Sequence, residues 1–495
     1  TFGTGSVAIG KDALFAQNYT TATTSHNVAV GRSAGANVTT GIANTFIGSE
    51  AGDAINTANS NVAIGYLALT SDTKGAQSVA IGQSALQGQN LTTATSTFNV
   101  AVGFNAGAGI TTGVQNTIIG SSAGDALSDA DFNTAMGYLA LSSDTLGSKS
   151  TAIGYAALQD QNFTTATDSF NVAVGHLAGE NVTTGKSNTL VGAEVALALT
   201  TGESNVAMGN QALKTETSGS QSTALGAFAL RDQFQGASAN NTALGFRAGL
   251  QTTDGIKNVY IGADAALSST TANKNVVIGS QAADSMTTGA ENVFVGESAA
   301  GSGVVTGNDN VAVGRAAGLN LTTGDNNTLL GHDAGITGSP GGNINSEDNH
   351  ICLGDENVIE LHCQVSLTAA SDERDKTDFS DLDLGLDFVK ALEPVTYYWD
   401  KRSKYGDKYA DDYDLNAQTP DGTHKEDWMD VGFKAQSVKD LEEAAGYKIS
   451  DKKNLTVSLS GDEKQYGLRY EKFVPILVKA IQDLSAEVEK LKSGG

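Results

Sequence analysis

Apolar residues recur in threes along most of this chain. Val62, Ala63 and Ile64, then Val79, Ala80 and Ile81, then Val100, Ala101 and Val102 each follow an Asn or Ser and each run into a glycine, Gly65, Gly82 and Gly103. In an extended segment alternate residues share a face, so Val62 and Ile64 lie on one side of a short strand and Ala63 on the other. The small Ala63 suits close packing against a neighbouring chain, and the glycine permits a tight bend. A second short apolar piece, such as Tyr66 to Leu69, makes the return, and a Thr-Thr-Gly turn followed by Asn leads into the next strand. The glycines usually step by 17 residues, with a longer step of 21 that at first returns every fourth unit, so that Gly10, Gly82, Gly154 and Gly226 fall 72 apart. A unit of this size cannot bury its own strand, whereas stacked units can, so the period predicts a parallel β-solenoid.

The pattern changes after residue 348. Residues 349–370 keep one last Leu353-Gly354 pair and then alternate apolar with polar, which reads as an extended β-stalk between chains. Beyond Ser371 a short helix stops before Pro394, a strand follows, a polar and Tyr-dotted insertion spans 401–430, and a second strand leads into a helix near Phe433. Leu477, Ile481, Leu484, Val488 and Leu491 are spaced 4, 3, 4, 3, the seam of a coiled coil.

Composition breaks at the same place. Before Ser371 there are 11 Lys/Arg and 28 Asp/Glu in 370 residues; from Ser371 on there are 19 and 27 in 125, so two different kinds of polypeptide are joined there. The formal net charge of -25 argues against nucleic acid and anionic membrane surfaces as partners. No apolar run reaches membrane-spanning length, so no membrane insertion is expected. The chain opens in mid-pattern without Met, which is the expectation for a piece of a longer protein. Cys352 and Cys363 are too few for a disulfide scaffold. They read either as reduced thiols or, with His350 and His362, as a metal site shared between chains, although the spacing fits no standard zinc pattern. No cofactor is expected. Asn-Tyr-Thr and its relatives match glycosylation sequons, and residues 178–187 resemble a phosphate loop, but both arise from the repeat turn.

The longer coils contain Gln-Asn-Tyr-Thr-Thr-Ala-Thr at 17–23 and close variants at 89–95 and 161–167. Four extra residues should bulge from the stack, with Tyr19, Leu91 or Phe163 at the centre of each bulge. Such a ladder suits weak multivalent contact with a glycan or a surface protein, and these three are the candidate receptor contacts. The alternative is that the loops brace neighbouring chains and bury those side chains.

Two resemblances follow from these residues. The repeats Asn61 to Leu69 and Asn99 to Gly107 resemble the head repeats of trimeric autotransporter adhesins, which also occur in bacteriophage tail fibres. That resemblance implies a trimeric, left-handed parallel β-roll. The ordered motifs Ser371-Asp-Glu-Arg-Asp-Lys376, Gly432-Phe-Lys-Ala-Gln436, Tyr466-Gly-Leu-Arg-Tyr470 and the terminal helix resemble the self-cleaving intramolecular chaperone of phage tail fibres and tail spikes, the endosialidase-type peptidase domain. That resemblance implies a domain that trimerises, templates the fibre before it and then cuts itself off between Ala370 and Ser371, with Ser371 as nucleophile and Lys376 as its base. A lysine serves as base only when neutral, which burial or nearby positive charge favours. Arg374 helps there, whereas Asp372 and Asp375 oppose it unless paired elsewhere.

The expected protein is thus mainly β: a shaft over 1–348, a stalk over 349–370, and an α+β chaperone over 371–495 ending in a coiled-coil helix. It is expected as a homotrimer in a virion tail fibre, assembled in the host cytoplasm, contacting a host surface receptor and, through a part preceding this sequence, other tail proteins. Its only enzymatic act would be a single autoproteolytic turnover. The alternatives are a bacterial trimeric adhesin and a polysaccharide-degrading spike carrying the same chaperone.

Overall fold

The computed structural model describes residues 3–236, 238–364, 368–410 and 412–494. It contains two compact units, residues 1–292 and 293–495. The first is a parallel β-solenoid. Each coil contributes one three-residue strand, and successive strands pair in parallel and in register, as Val62–Ile64 with Val79–Ile81 through Val62↔Val79, Ala63↔Ala80 and Ile64↔Ile81.

The strand faces are the reverse of the packing expected from the sequence. Ala63 and Ala80 are fully buried inside the coil, while Val62 and Ile64 are half-buried on its outer side. Alanine therefore fills the solenoid's own interior rather than facing a neighbouring chain. The interior is narrow because strand and return segment belong to one 17-residue coil. Larger residues enter at the strand centre in some coils, as Phe46, Ile118, Leu190 and Tyr260, all fully buried.

Glycine is obligatory where the sequence places it. Gly65 has φ +137°, and a Cβ built on it would lie 2.4 Å from the carbonyl oxygen of Gly82 in the next coil. A side chain would meet backbone that cannot step aside. Asn before most of the strands satisfies the turn it faces. Asn61 is buried; its Oδ1 accepts from the Ser78 backbone N–H at 2.9 Å and its Nδ2 donates to the Gly75 carbonyl at 2.9 Å. Repeated at Asn44 and Asn99, this bond links each turn to the next coil and leaves no buried amide orphaned there.

The 21-residue coils do not bulge outward around an exposed side chain. Their extra residues form two-residue strands that pair with the preceding coil, Gly75–Ala76 with Thr95–Ser96 and Gly147–Ser148 with Thr167–Asp168. Gln89 turns inward and donates to Asp72 Oδ2 at 2.6 Å and Ser78 Oγ at 2.9 Å, while its Oε1 accepts from Asn99 at 2.9 Å.

The second unit begins with the parallel strands Val293–Val295, Val311–Val313, Thr328–Leu330 and Ile351–Leu353. The ladder thus includes residues 351–353. After it come α1 (Leu386–Ala391), the antiparallel pair Val395–Tyr397 with Asp430–Gly432, α2 (Ala435–Ala444), the antiparallel pair Val457–Leu459 with Tyr466–Leu468, and α3 (Phe473–Ser493). The helix before Pro394, the two strands flanking the insertion, α2 and α3 follow the order expected from the sequence, and the pair Val457–Leu459 with Tyr466–Leu468 is an addition to it. Leu384, Phe388, Val438, Val457, Phe473 and Ile476 form one core. Glu442 is buried beside it and is satisfied by the Thr456 N–H at 2.6 Å and the Leu455 N–H at 3.1 Å. Only one stripe of α3, Phe473, Ile476 and Ala480, is buried; Leu477, Ile481, Leu484 and Leu491 are exposed.

Candidate self-processing site

Ser371 and Lys376 are brought together by local structure. Residues 373–375 form a single 3-10 turn whose cap, Asp372, accepts from the Arg374 backbone N–H at 2.9 Å. The turn folds the chain back, so that Lys376 Nζ lies 2.6 Å from Ser371 Oγ and 3.2 Å from the Ser371 carbonyl oxygen. Five residues of sequence separation become one hydrogen bond, the geometric condition for a base acting on a hydroxyl nucleophile.

The neighbouring charges sort themselves. Arg374 forks onto Asp372, with Nε 3.0 Å from Oδ1 and a terminal nitrogen 2.6 Å from Oδ2. That pairing, first through the side chain and then through the Arg374 backbone N–H, holds the Asp372 carboxyl below its ordinary value. Asp372 and Arg374 are thus paired with each other. Ala370 and residues 371–376 are all exposed in the single chain.

The other candidates are placed differently. Tyr19, Leu91 and Phe163 are only 4%, 6% and 6% exposed. They point into their own solenoid, and Tyr19 donates its hydroxyl to the Gly41 carbonyl at 2.6 Å. Burial inside one chain removes them as receptor contacts. Four inserted residues are long enough to fold a side chain back into the stack, and the apolar one follows the core.

The His350, Cys352, His362 and Cys363 set is not gathered. Cys352 is buried, with its thiol 3.0 Å from the Pro340 carbonyl oxygen and its pKa pushed up by that burial. His362 is exposed and pairs with Glu360 at 2.8 Å, and Cys363 is exposed. Among the described residues His332, Asp333 and Asp355 form the one cluster with metal-ligand spacing. Its members come from two coils, and no local motif marks them.

Residues 371–447 match the family described as chaperone of endosialidase, so that the match opens on Ser371. No curated protein matches the chain, and no solved structure does. The chain therefore carries a long β-solenoid and, over residues 371–447, a match to the endosialidase-chaperone family. No helix among the described residues is long and apolar enough to cross a membrane.

Proposed function

We propose that this protein is a structural and adhesive segment of a bacteriophage tail fibre, working as a homotrimer. Its C-terminal domain drives trimerisation and folding, then releases itself by cutting between Ala370 and Ser371. The observation that carries this reading is the 2.6 Å contact between Lys376 Nζ and Ser371 Oγ at the first residue of the family match.

In the proposed step, neutral Lys376 takes the Ser371 hydroxyl proton as Oγ attacks the Ala370 carbonyl carbon. The acyl group moves from the Ser371 nitrogen to its oxygen, the nitrogen takes up a proton to become the new amino terminus, and water hydrolyses the ester. A lysine amine accepts a proton only when it is neutral. Burial favours the neutral amine. Covering of this turn by neighbouring chains would thus tie cleavage to correct assembly.

Two surfaces support the trimer. Val62 and Ile64, with their equivalents in other coils, form a half-exposed apolar ladder, whereas all-parallel sheets ordinarily have both faces covered. The heptad stripe of α3 is likewise exposed in one chain. Host-receptor contact and attachment to other tail proteins belong to the same proposal, without assigned residues.

Mass spectrometry of the folded wild-type product tests it. A shaft fragment ending at Ala370 and a second fragment beginning at Ser371 are expected, with S371A intact. Intact wild-type chains in folded trimers would reject the processing role.

A further inference from the structure

The last coil of the shaft is longer than the others. Gly331 and Gly354 stand 23 residues apart, where the usual step is 17. The extra residues form a loop that is closed on itself: the Ile344 N–H donates to the Gly335 carbonyl at 2.9 Å. Inside it the buried Ser339 hydroxyl accepts from the Gly335 N–H at 3.1 Å and donates to the Ile336 carbonyl at 2.8 Å.

This loop meets the C-terminal domain at two places. The Asn343 N–H donates to Asp462 Oδ2 at 3.2 Å, in the turn between Val457–Leu459 and Tyr466–Leu468. Two glycines admit the approach. A Cβ on Gly342 would lie 2.5 Å from Asp462 Oδ1, and one on Gly338 would lie 2.5 Å from Ser403 Cβ. Ser403 belongs to the insertion that spans 401–430, and it is buried.

The insertion also grips the strand ends of the last coils. Lys408 places Nζ 2.8 Å from Asp333 Oδ2 and 2.9 Å from Glu356 Oε1, both of them buried carboxylates. Burial alone would lower the Lys408 pKa, yet the bonds to Asp333 and Glu356 carry it well above the ordinary value, so it docks as a cation. Tyr409 donates its hydroxyl to Asp333 Oδ2 at 2.7 Å and accepts from Arg315 at 3.2 Å. Lys401 Nζ donates to the Glu356 carbonyl oxygen.

None of these contacts uses the covalent link. Residues 357–364 and 368–370, which lead from the last coil to Ser371, are exposed. A cut there removes none of the bonds above. Parting the surfaces must take a buried ammonium from its two carboxylates, and such charge pairs act mainly on the rate of dissociation.

We propose that the last coil, residues 331–356, is a docking surface for the insertion 401–430 and the turn around Asp462, and that the C-terminal domain stays bound there after the chain is cut at Ala370–Ser371. That the chain cuts itself rests on the processing reading above; the docking surface does not. Release thus has two steps, scission of the link and then parting of the docked surfaces.

The test uses the full S371A chain with the recognition sequence of a site-specific protease inserted after Ala370, so that the cut is made on demand. After the cut, shaft and C-terminal fragments should co-elute in size exclusion at physiological ionic strength. K408M should part them at least about tenfold faster. Y409F, which keeps both charges and removes one donor, should part them several-fold faster. Fragments that separate as soon as the S371A chain is cut overturn the proposal. So does a K408M chain that folds and parts no faster. Where K408M does not fold, Y409F decides, and an unchanged rate there overturns the proposal as well. Failure of the wild-type chain to cut itself would count against processing alone, since here the protease makes the cut.

Discussion

At the scale of single residues, two positions carry sharply different kinds of constraint. Gly65 is fixed by space and by backbone together: its φ of +137° is rare for residues with a side chain, and a Cβ would stand 2.4 Å from the Gly82 oxygen. G65A should therefore destabilise the shaft by a few kcal/mol, on the order of the larger single-residue effects. Thermal unfolding and limited proteolysis should show earlier opening near that coil. Lys376 is constrained by chemistry instead. K376R keeps a donor and a positive charge near Ser371, but arginine does not give up its proton in proteins. The K376R chain should fold as the wild type does and remain uncleaved by mass spectrometry. Normal cleavage in K376R would rule out lysine as the base.

At the scale of the element, the long coil shows how an insertion can become core. The segment around Phe163 adds a parallel two-residue strand, ties Gln161 Nε2 to Asp144 Oδ2 at 2.6 Å, and buries the ring. The Asp144 carboxyl is itself held above its ordinary range by burial, partly offset by its bond from Gln161. F163A should leave a cavity and cost about 3–5 kcal/mol. The expected result is a lower melting temperature with host binding lost only where the coil opens. F163A that binds less at a temperature where the shaft remains fully folded would restore the adhesive reading of this loop.

At the scale of the whole molecule, assembly and processing are coupled in the proposed function. The exposed stripe of α3 lies on the same helix that seals the C-terminal core through Phe473 and Ile476. Charges at Ile481 and Leu484 would leave that core intact and disrupt only a helical partner contact. I481D/L484D is expected to fold its C-terminal domain, to sediment as a monomer or an aggregate rather than a trimer, and to stay uncleaved. Trimeric, fully cleaved I481D/L484D would separate the helix from both roles. The acidic surface, with a formal net charge of -25, favours solubility of separate particles over close association of unrelated shafts.

The sequence by itself determined what depends on period and on near neighbours. The recurring glycine and asparagine positions specify a coil, because only a stacked repeat uses them. Much of the order of helices and strands after Ser371 is legible from Pro394 and the α3 spacing, whereas the pair Val457–Leu459 with Tyr466–Leu468 is not. Ser371 and Lys376 are close in sequence, so a single capped turn suffices to join them. The tertiary structure decided what depends on which surface faces in. Val62, Ala63 and Ile64 are all apolar, so alternation separates two faces without saying which is internal; the narrow coil settles it by admitting alanine. Tyr19, Leu91 and Phe163 carry no local sign of burial, since inward and outward loops of that length have the same composition. Lys408 meets Asp333 across 75 residues of chain, and only folding brings an ammonium from one element between carboxylates from another two coils.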